Sequence, residues 1–245
     1  MKITKYKKMS NNKYKVFLDN NENIVLHENI ILKYNLLLTK EIDDLEEIKK
    51  DNNNYLIYDK VLKYISIKMR CESEIRAYLK KNEIDNKLID EIVEKLKKQG
   101  FINEKLYVKS YILDKTRLNN IGPNKIKNEL IKLNIDNNII EEELNNINKE
   151  ELNITLEKLI DKKIKSNRTY AGDVLKQKLL NDFINKGYSK EDILSILDKK
   201  DLNNDDLYEK EYKKLYNKYS KKYSGSELEY FIKQKLYQKG IKKSN

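Results

Sequence analysis

The 245-residue sequence contains no tryptophan, one histidine, one cysteine, one proline and six glycines. Each scarcity excludes something. A lone Cys71 forms no internal disulfide and no cysteine zinc site, and it suits a reducing compartment. A lone His27, with no cysteine or carboxylate cluster around it at ligand spacing, builds no histidine metal centre. Neither G-x-x-x-x-G-K-[ST] nor G-x-G-x-x-G occurs, so no glycine loop cradles a nucleotide phosphate. No apolar run is long enough to cross a bilayer, and the opening Lys2-Ile3-Thr4-Lys5-Tyr6-Lys7-Lys8 is unlike a signal peptide. A cytoplasmic location is expected. With helix breakers this scarce and Lys, Glu, Ile and Leu abundant, a mainly α chain is expected.

Charge is what the sequence has in plenty. Charged residues make up 37% of it and hydrophobic ones 39%, with a net charge of +11. So modest an apolar share suits an elongated array in which each unit buries a thin core against its neighbours. The positive surplus points to a polyanion or an acidic protein surface. A lysine-rich solvated surface accounts for the same numbers without a partner.

The array has a period. Leu79, Leu130, Phe183 and Leu236 lie 51, 53 and 53 residues apart. Each has an apolar residue four earlier (Ile75, Ile126, Leu179, Ile232) and another five later (Ile84, Ile135, Tyr188, Ile241). A spacing near 50 marks a helical repeat. The clearest copy runs from Arg70 to Phe101: two amphipathic helices joined by a tight turn near Asn82 to Asp85 and closed by Gly100. A helix before it presents Tyr58, Val61, Leu62, Ile65 and Met69. Asp85 is a good N-cap for a helix carrying Leu88, Ile89, Ile92, Val93 and Leu96 on one face. One period on, Asp136 precedes Ile139, Ile140, Leu144 and Ile147. Pro123 fits a first helical position, Gly187 a helix stop, and Ser189-Lys190-Glu191-Asp192 a capping box. A fourth copy is begun by a helix with Tyr208, Tyr212, Leu215 and Tyr219 and another with Leu228, Ile232 and Leu236.

The first stretch differs. Tyr14, Val16 and Leu18 alternate with Lys15, Phe17 and Asp19, and Asn20-Asn21 offers a turn before Ile24-Val25-Leu26. A β-hairpin is expected there, with Ile3 to Lys7 as a third strand. Short helices are expected at Glu28 to Tyr34 and Glu41 to Lys50, and Asp51-Asn52-Asn53-Asn54 reads as a linker. The division expected is 1–54 for the hairpin and short helices, then three-helix repeats at 55–102, 103–149 and 150–200. A partial basic, tyrosine-rich repeat follows at 206–245.

Catalysis finds little support. Carboxylates interleave with lysines at helical spacing, as on a solvated face. Cys71 reads as a small residue at a helix N-cap, and His27 as structural. Binding signals are better. From Asp206 to Asn245 there are 11 lysines against five acidic residues, and seven of the 18 tyrosines. Cations beside aromatics neutralise phosphates and stack on bases. Tyr208, Tyr212, Leu215 and Tyr219 read more simply as the buried stripe of one helix. Lys115-Thr116-Arg117 and Lys165 to Tyr170 are basic loops at matching places in successive repeats.

Four segments carry a family resemblance: YISIKMRCESEIRAYL (Tyr64 to Leu79), QGFINEKLYVKSY (Gln99 to Tyr111), IGPNKIKNELIKLNI (Ile121 to Ile135) and KLLNDFINKGY (Lys178 to Tyr188). In order and spacing the chain resembles RecX, the bacterial regulator of the RecA recombinase. The resemblance spans essentially the full length, the N-terminal hairpin being similar to the extension of longer, Firmicute-type members. Cys71 stands where the family has Ser or Thr, Asn103-Glu104 replace an Asp pair, and Asn134 replaces the Gly before Ile135.

The resemblance implies three-helix repeats in a curved, elongated molecule, a monomer with no catalytic centre, cofactor or membrane contact. It also implies binding in the groove of the RecA filament, with single-stranded DNA met directly or through the filament. DNA repair, recombination and the SOS response would be the setting. Candidate contacts to RecA or DNA are Arg70, Arg76, Lys80, Lys115, Arg117, Lys125, Lys165, Arg168, Lys213, Lys214, Lys221 and Lys222. The alternatives are a general DNA-binding helical-repeat protein acting without RecA, and an adaptor that binds protein alone.

Overall fold

The computed structural model describes residues 1–203 and 205–242. Those residues form thirteen helices and one three-stranded antiparallel sheet. They fall into two compact units, one from Met1 to Tyr107 and a second from Val108 onward.

In the first unit β1 (Ile3–Lys8), β2 (Lys13–Leu18) and β3 (Asn23–His27) pair in chain order. The register sets Val16 opposite Ile24 and Tyr14 opposite Leu26. Alternation along β2 turns Val16 and Leu18 inward, because successive strand residues face opposite sides. They pack with Leu26, with Ile30 and Ile31 of α1 (Glu28–Lys33), with Leu36 of α2 (Leu36–Thr39), and with Leu45 and Ile48 of α3 (Leu45–Ile67). The hairpin, third strand and α1 are where the sequence places them.

Two expectations are corrected here. The linker at Asp51 to Asn54 is instead helix, part of an unbroken α3 that starts at Leu45 rather than Glu41. Asp and Asn weaken helices when their side chains compete for local backbone, but Asp51 and Asn52 reach sideways. Buried Asn52 accepts from the His27 N–H at 2.8 Å and donates to the Val25 carbonyl at 3.1 Å, tying α3 to β3. Asp51 receives the Tyr34 hydroxyl at 2.7 Å and pairs with Lys33. Met69, expected on the inner face, is exposed because α3 ends at Ile67. The single turn α2, between left-handed Asn35 and Lys40, has no counterpart in the expected elements.

The second half of α3 packs Tyr58 and Val61 against Ile75 and Leu79 of α4 (Glu72–Lys81) and Ile89, Ile92, Val93 and Leu96 of α5 (Asn86–Lys98). Asp85 caps α5 by accepting from the Leu88 N–H at 3.1 Å. The same grammar recurs in α6 (Glu104–Arg117), α7 (Pro123–Lys132) and α8 (Asn137–Asn145), then in α9 (Lys149–Ser166), α10 (Gly172–Asn185) and α11 (Lys190–Leu197). Two further helices follow, α12 (Asp205–Tyr219) and α13 (Gly225–Gln238). Pro123 opens α7, and Asp136 and Ser189 cap α8 and α11.

The period is built from one helix ending, used four times. α4, α7, α10 and α13 each end in a residue with positive φ: Glu83 (+60°), Asn134 (+56°), Gly187 (+92°) and Gly240 (+73°). The apolar residue after it donates its N–H back to the carbonyl five residues earlier. The distances are 3.2 Å for Ile84 to Leu79, 3.5 Å for Ile135 to Leu130, 3.1 Å for Tyr188 to Phe183 and 3.0 Å for Ile241 to Leu236. This is the Schellman arrangement, which satisfies a terminal carbonyl and folds an apolar side chain back onto the helix. Asn134 fits because Asn tolerates the left-handed conformation better than other non-glycine residues.

Candidate nucleic-acid interface

The twelve candidate cations divide by what already holds them. Arg70 donates to Glu74 at 2.9 Å and lies 4.2 Å from the centroid of the Tyr64 ring, so it braces the start of α4. Burial pushes the Glu74 carboxyl up, but Arg70, the Cys71 N–H and Lys68 outweigh it and hold it below the usual range. Arg76 bridges Glu72 on α4 at 2.6 Å and Asp90 on α5 at 2.7 Å. Lys115 pairs with Glu129 at 2.8 Å and lies over the Tyr111 ring. Lys214 meets Glu211 at 3.4 Å, and Arg117 meets Glu151 at 3.7 Å. Arg168 folds onto the carbonyls of Lys165 and Asn167, at 2.6 and 2.8 Å.

Lys80, Lys125, Lys165, Lys213, Lys221 and Lys222 are exposed and form no ion pair among the described residues. Lys80 belongs to the first unit and the other five to the second. Lys213 and Lys221-Lys222 share the α12–α13 pair.

That pair has its own core. Leu207, Leu215, Leu228, Ile232, Leu236 and Ile241 are buried, with Tyr208, Tyr212 and Tyr219 packed at their edge. These three tyrosines are therefore the inner stripe of α12. Tyr212 hydrogen-bonds the Glu229 carboxylate, which, with burial, pushes its hydroxyl up to about 12. Buried Glu211 accepts from Lys239 at 2.5 Å. Burial raises its carboxyl, but the pairs with Lys239 and Lys214 prevail and hold it below the ordinary value.

Sequence reasoning did not single out the outer tyrosines. Of the eighteen tyrosines three are exposed: Tyr216 (45%), Tyr230 (72%) and Tyr237 (71%), all on these two helices. The signal was present, since Tyr230 and Tyr237 stand seven apart and outside the Leu228-Ile232-Leu236 stripe.

The residues considered for catalysis have structural employment. His27 caps α1, its Nδ1 accepting from the Asn29 N–H at 3.2 Å, and its ring lies 4.5 Å from that of Tyr55. Cys71 is buried at the N-cap of α4, and its N–H donates to Glu74 at 3.2 Å. A groove of about 410 Å³ opens between α6, α8 and α9, with Arg117 and Glu151 in its wall. Its buried Glu143 occupies the register position of Ile92, another residue the periodic reading passed over. Among the described residues no group of three His, Cys, Asp or Glu is placed to hold a metal ion. Nor is any helix there long and apolar enough to cross a membrane.

Residues 58–96 match the family described as RecX, first three-helix domain. A protein of Lactococcus lactis subsp. lactis (strain IL1403) named Regulatory protein RecX is 36% identical, over 98% of this chain and 93% of its own. A protein of the same name from Streptococcus agalactiae serotype Ia is 35% identical, over 98% of this chain and 95% of its own. A crystal structure of regulatory protein RecX matches with a TM-score of 0.67 at 24% identity, covering 81% of this chain and 99% of that one, and shows the shared fold. The crystal structure of RecX from Lactobacillus salivarius matches at a TM-score of 0.54 and 26% identity, covering 60% of this chain and 96% of that one.

Proposed function

The chain belongs to the RecX family of regulatory proteins, and from that premise we propose that it is a cytoplasmic, non-enzymatic regulator of RecA. It binds the RecA filament on single-stranded DNA and restrains filament extension, strand exchange and ATP hydrolysis, in the service of DNA repair, recombination and the SOS response. The observation that supports this reading is the basic C-terminal helix pair, where Lys213, Lys221 and Lys222 are exposed and form no ion pair among the described residues and the outer tyrosines face water. Repeats that each offer a weak contact gain avidity on a repeating partner, because every later contact is made at high effective concentration. The twelve candidate residues do not contribute equally in this reading: the six unpaired lysines meet the partner, and Arg70, Arg76 and Lys115 hold the repeats in shape.

The test is RecA's DNA-dependent ATPase and filament length with and without this protein. Slower hydrolysis and shorter filaments are expected, and no change at equimolar or higher protein sinks the proposal. The same free lysines also suit a general DNA-binding protein acting without RecA. That reading requires tight, strongly salt-dependent binding to bare DNA, with RecA's ATPase unaffected at protein concentrations that leave the DNA uncovered.

A further inference from the structure

Fifteen of the eighteen tyrosines are buried or half-buried, and the three that are exposed all lie in the C-terminal helix pair. An aromatic ring carries a large apolar area, so leaving two more than 70% exposed on one helix forgoes burial that the rest of the chain takes wherever it can. Tyr230 and Tyr237 are seven residues apart, two turns of α13, which sets them on one side about 10 Å apart along the axis. Lys233 and Gln234 lie between them, at the three- and four-residue spacings that make neighbours on a helix surface. Both are exposed, and Lys233 forms no ion pair among the described residues. Glu227, also exposed, is the carboxylate next to Tyr230 on this stripe. The opposite side of α13 carries buried Leu228, Ile232 and Leu236, so the outer stripe is not used by the fold.

We propose that this outer stripe of α13 is a stacking platform for single-stranded DNA, with Tyr230 and Tyr237 each taking a base and Lys233 a phosphate. The stripe has π faces and a free cation and no aliphatic side chain. A helix that docks in a protein groove presents aliphatic or aromatic anchors along a continuous apolar face. Bases in a duplex are stacked on each other, whereas those of a single strand can stack on an aromatic side chain, so the single strand is the fitting partner. The inference deepens the regulator reading above, since it names the part of the protein that would touch the DNA within the filament.

The experiment is a fluorescence-anisotropy titration of a labelled oligothymidine with the full chain. The variants are Tyr230→Ala, Tyr237→Ala, both together, both to Phe, and Lys233→Ala. Each single Ala variant is expected to weaken binding about tenfold or more, and the double Phe variant by no more than about twofold. Affinity for a duplex of equal length should change by less than about twofold between wild type and double Ala. Lys233→Ala should reduce the slope of log affinity against log salt by about 0.7. Because both rings face water, circular-dichroism melting should leave all variants folded. The inference is overturned if the wild type does not bind the oligonucleotide, or if double Ala binds it as the wild type does. It is equally overturned if Phe loses as much as Ala, or if double Ala keeps oligonucleotide binding and loses only the RecA filament, which would make the stripe a protein contact. RecA's ATPase, measured in parallel with wild type, separates the two claims: an unaffected ATPase sinks the regulator reading while the titration still decides the platform.

Discussion

The backbone N–H of Gly122 donates to the carbonyl of Lys186 at 2.8 Å, and one repeat on the N–H of Ala171 donates to the carbonyl of Lys239 at 3.0 Å. The starts of α7 and α10 are thereby clasped to the ends of α10 and α13. The approach leaves no room for a side chain: a Cβ on Gly122 would overlap the Gly187 backbone, and one on Gly187 would overlap Lys125. Gly187 also has φ +92°. Gly187→Ala combines left-handed strain with steric overlap and is expected to cost roughly 3 kcal/mol. Gly100, at φ +76° with nothing within 4 Å of a Cβ, meets the strain alone, and Gly100→Ala should cost roughly 1 kcal/mol. Urea unfolding of the two variants measures the difference, and equal losses would remove the clasp from the account.

The fourfold helix ending makes a prediction of opposite sign. Glu83 holds the left-handed position at φ +60° where Gly187 and Gly240 occupy the equivalent sites. A side chain there costs energy that glycine does not incur. Glu83→Gly should therefore raise stability by about 1 kcal/mol, read as a shift of the urea midpoint at unchanged slope. A loss of stability would mean that Glu83 contributes more than its backbone conformation costs.

Much of this was legible in the letters. The triplet spaced as Ile75, Leu79 and Ile84 recurs four times because the Schellman ending needs an apolar residue five after the last buried one, and a period that long survives changes of individual side chains. What was not legible depends on lateral partners. Nothing local in Asp51-Asn52-Asn53-Asn54 announces that Asn52 will be claimed by β3, so turn chemistry was the natural reading. The cations behave likewise. Arg76 and Lys80 look alike in sequence, yet one bridges two helices and the other is unpaired, because Asp90 comes from a different helix.

That division of the cations is itself testable. Arg70→Ala and Arg76→Ala remove charge-assisted bonds to partly buried carboxylates and should each cost roughly 1–2 kcal/mol. They should leave the salt dependence of DNA binding unchanged. Lys213→Ala, Lys221→Ala and Lys222→Ala should stay within about 0.5 kcal/mol of wild type. Where those lysines meet phosphates of a single strand, each should lower the log–log salt slope by about 0.7. Melting curves and salt titrations on the same five variants supply both axes. Arginine variants that lose slope without losing stability would reverse the assignment.

The pH dependence of stability follows from the same pairs. Burial pushes the carboxyls of Glu72, Glu129 and Glu211 up, but the lysines and arginine that pair with them prevail, and each sits below its ordinary value of 4.5. Asp51 is held low by the hydrogen bonds from Lys33 and Tyr34. A carboxyl depressed in the folded state binds protons more readily when unfolded, so stability rises with pH across that range. Its contribution is complete above 4.5 for Glu and is lost as pH falls through the depressed values. Tyr212 works the other way: raised to about 12, it contributes fully below 10.0 and loses its contribution as pH rises toward 12. Thermal melting followed by circular dichroism should show a Tm that is flat near neutrality and falls on acidification below 4.5. Glu211→Gln should lower the neutral Tm and shrink the acid fall, since it removes one depressed carboxyl and unpairs Lys239. An acid fall of undiminished size in that variant would show that the Glu211 pairs do not stabilise the last two helices.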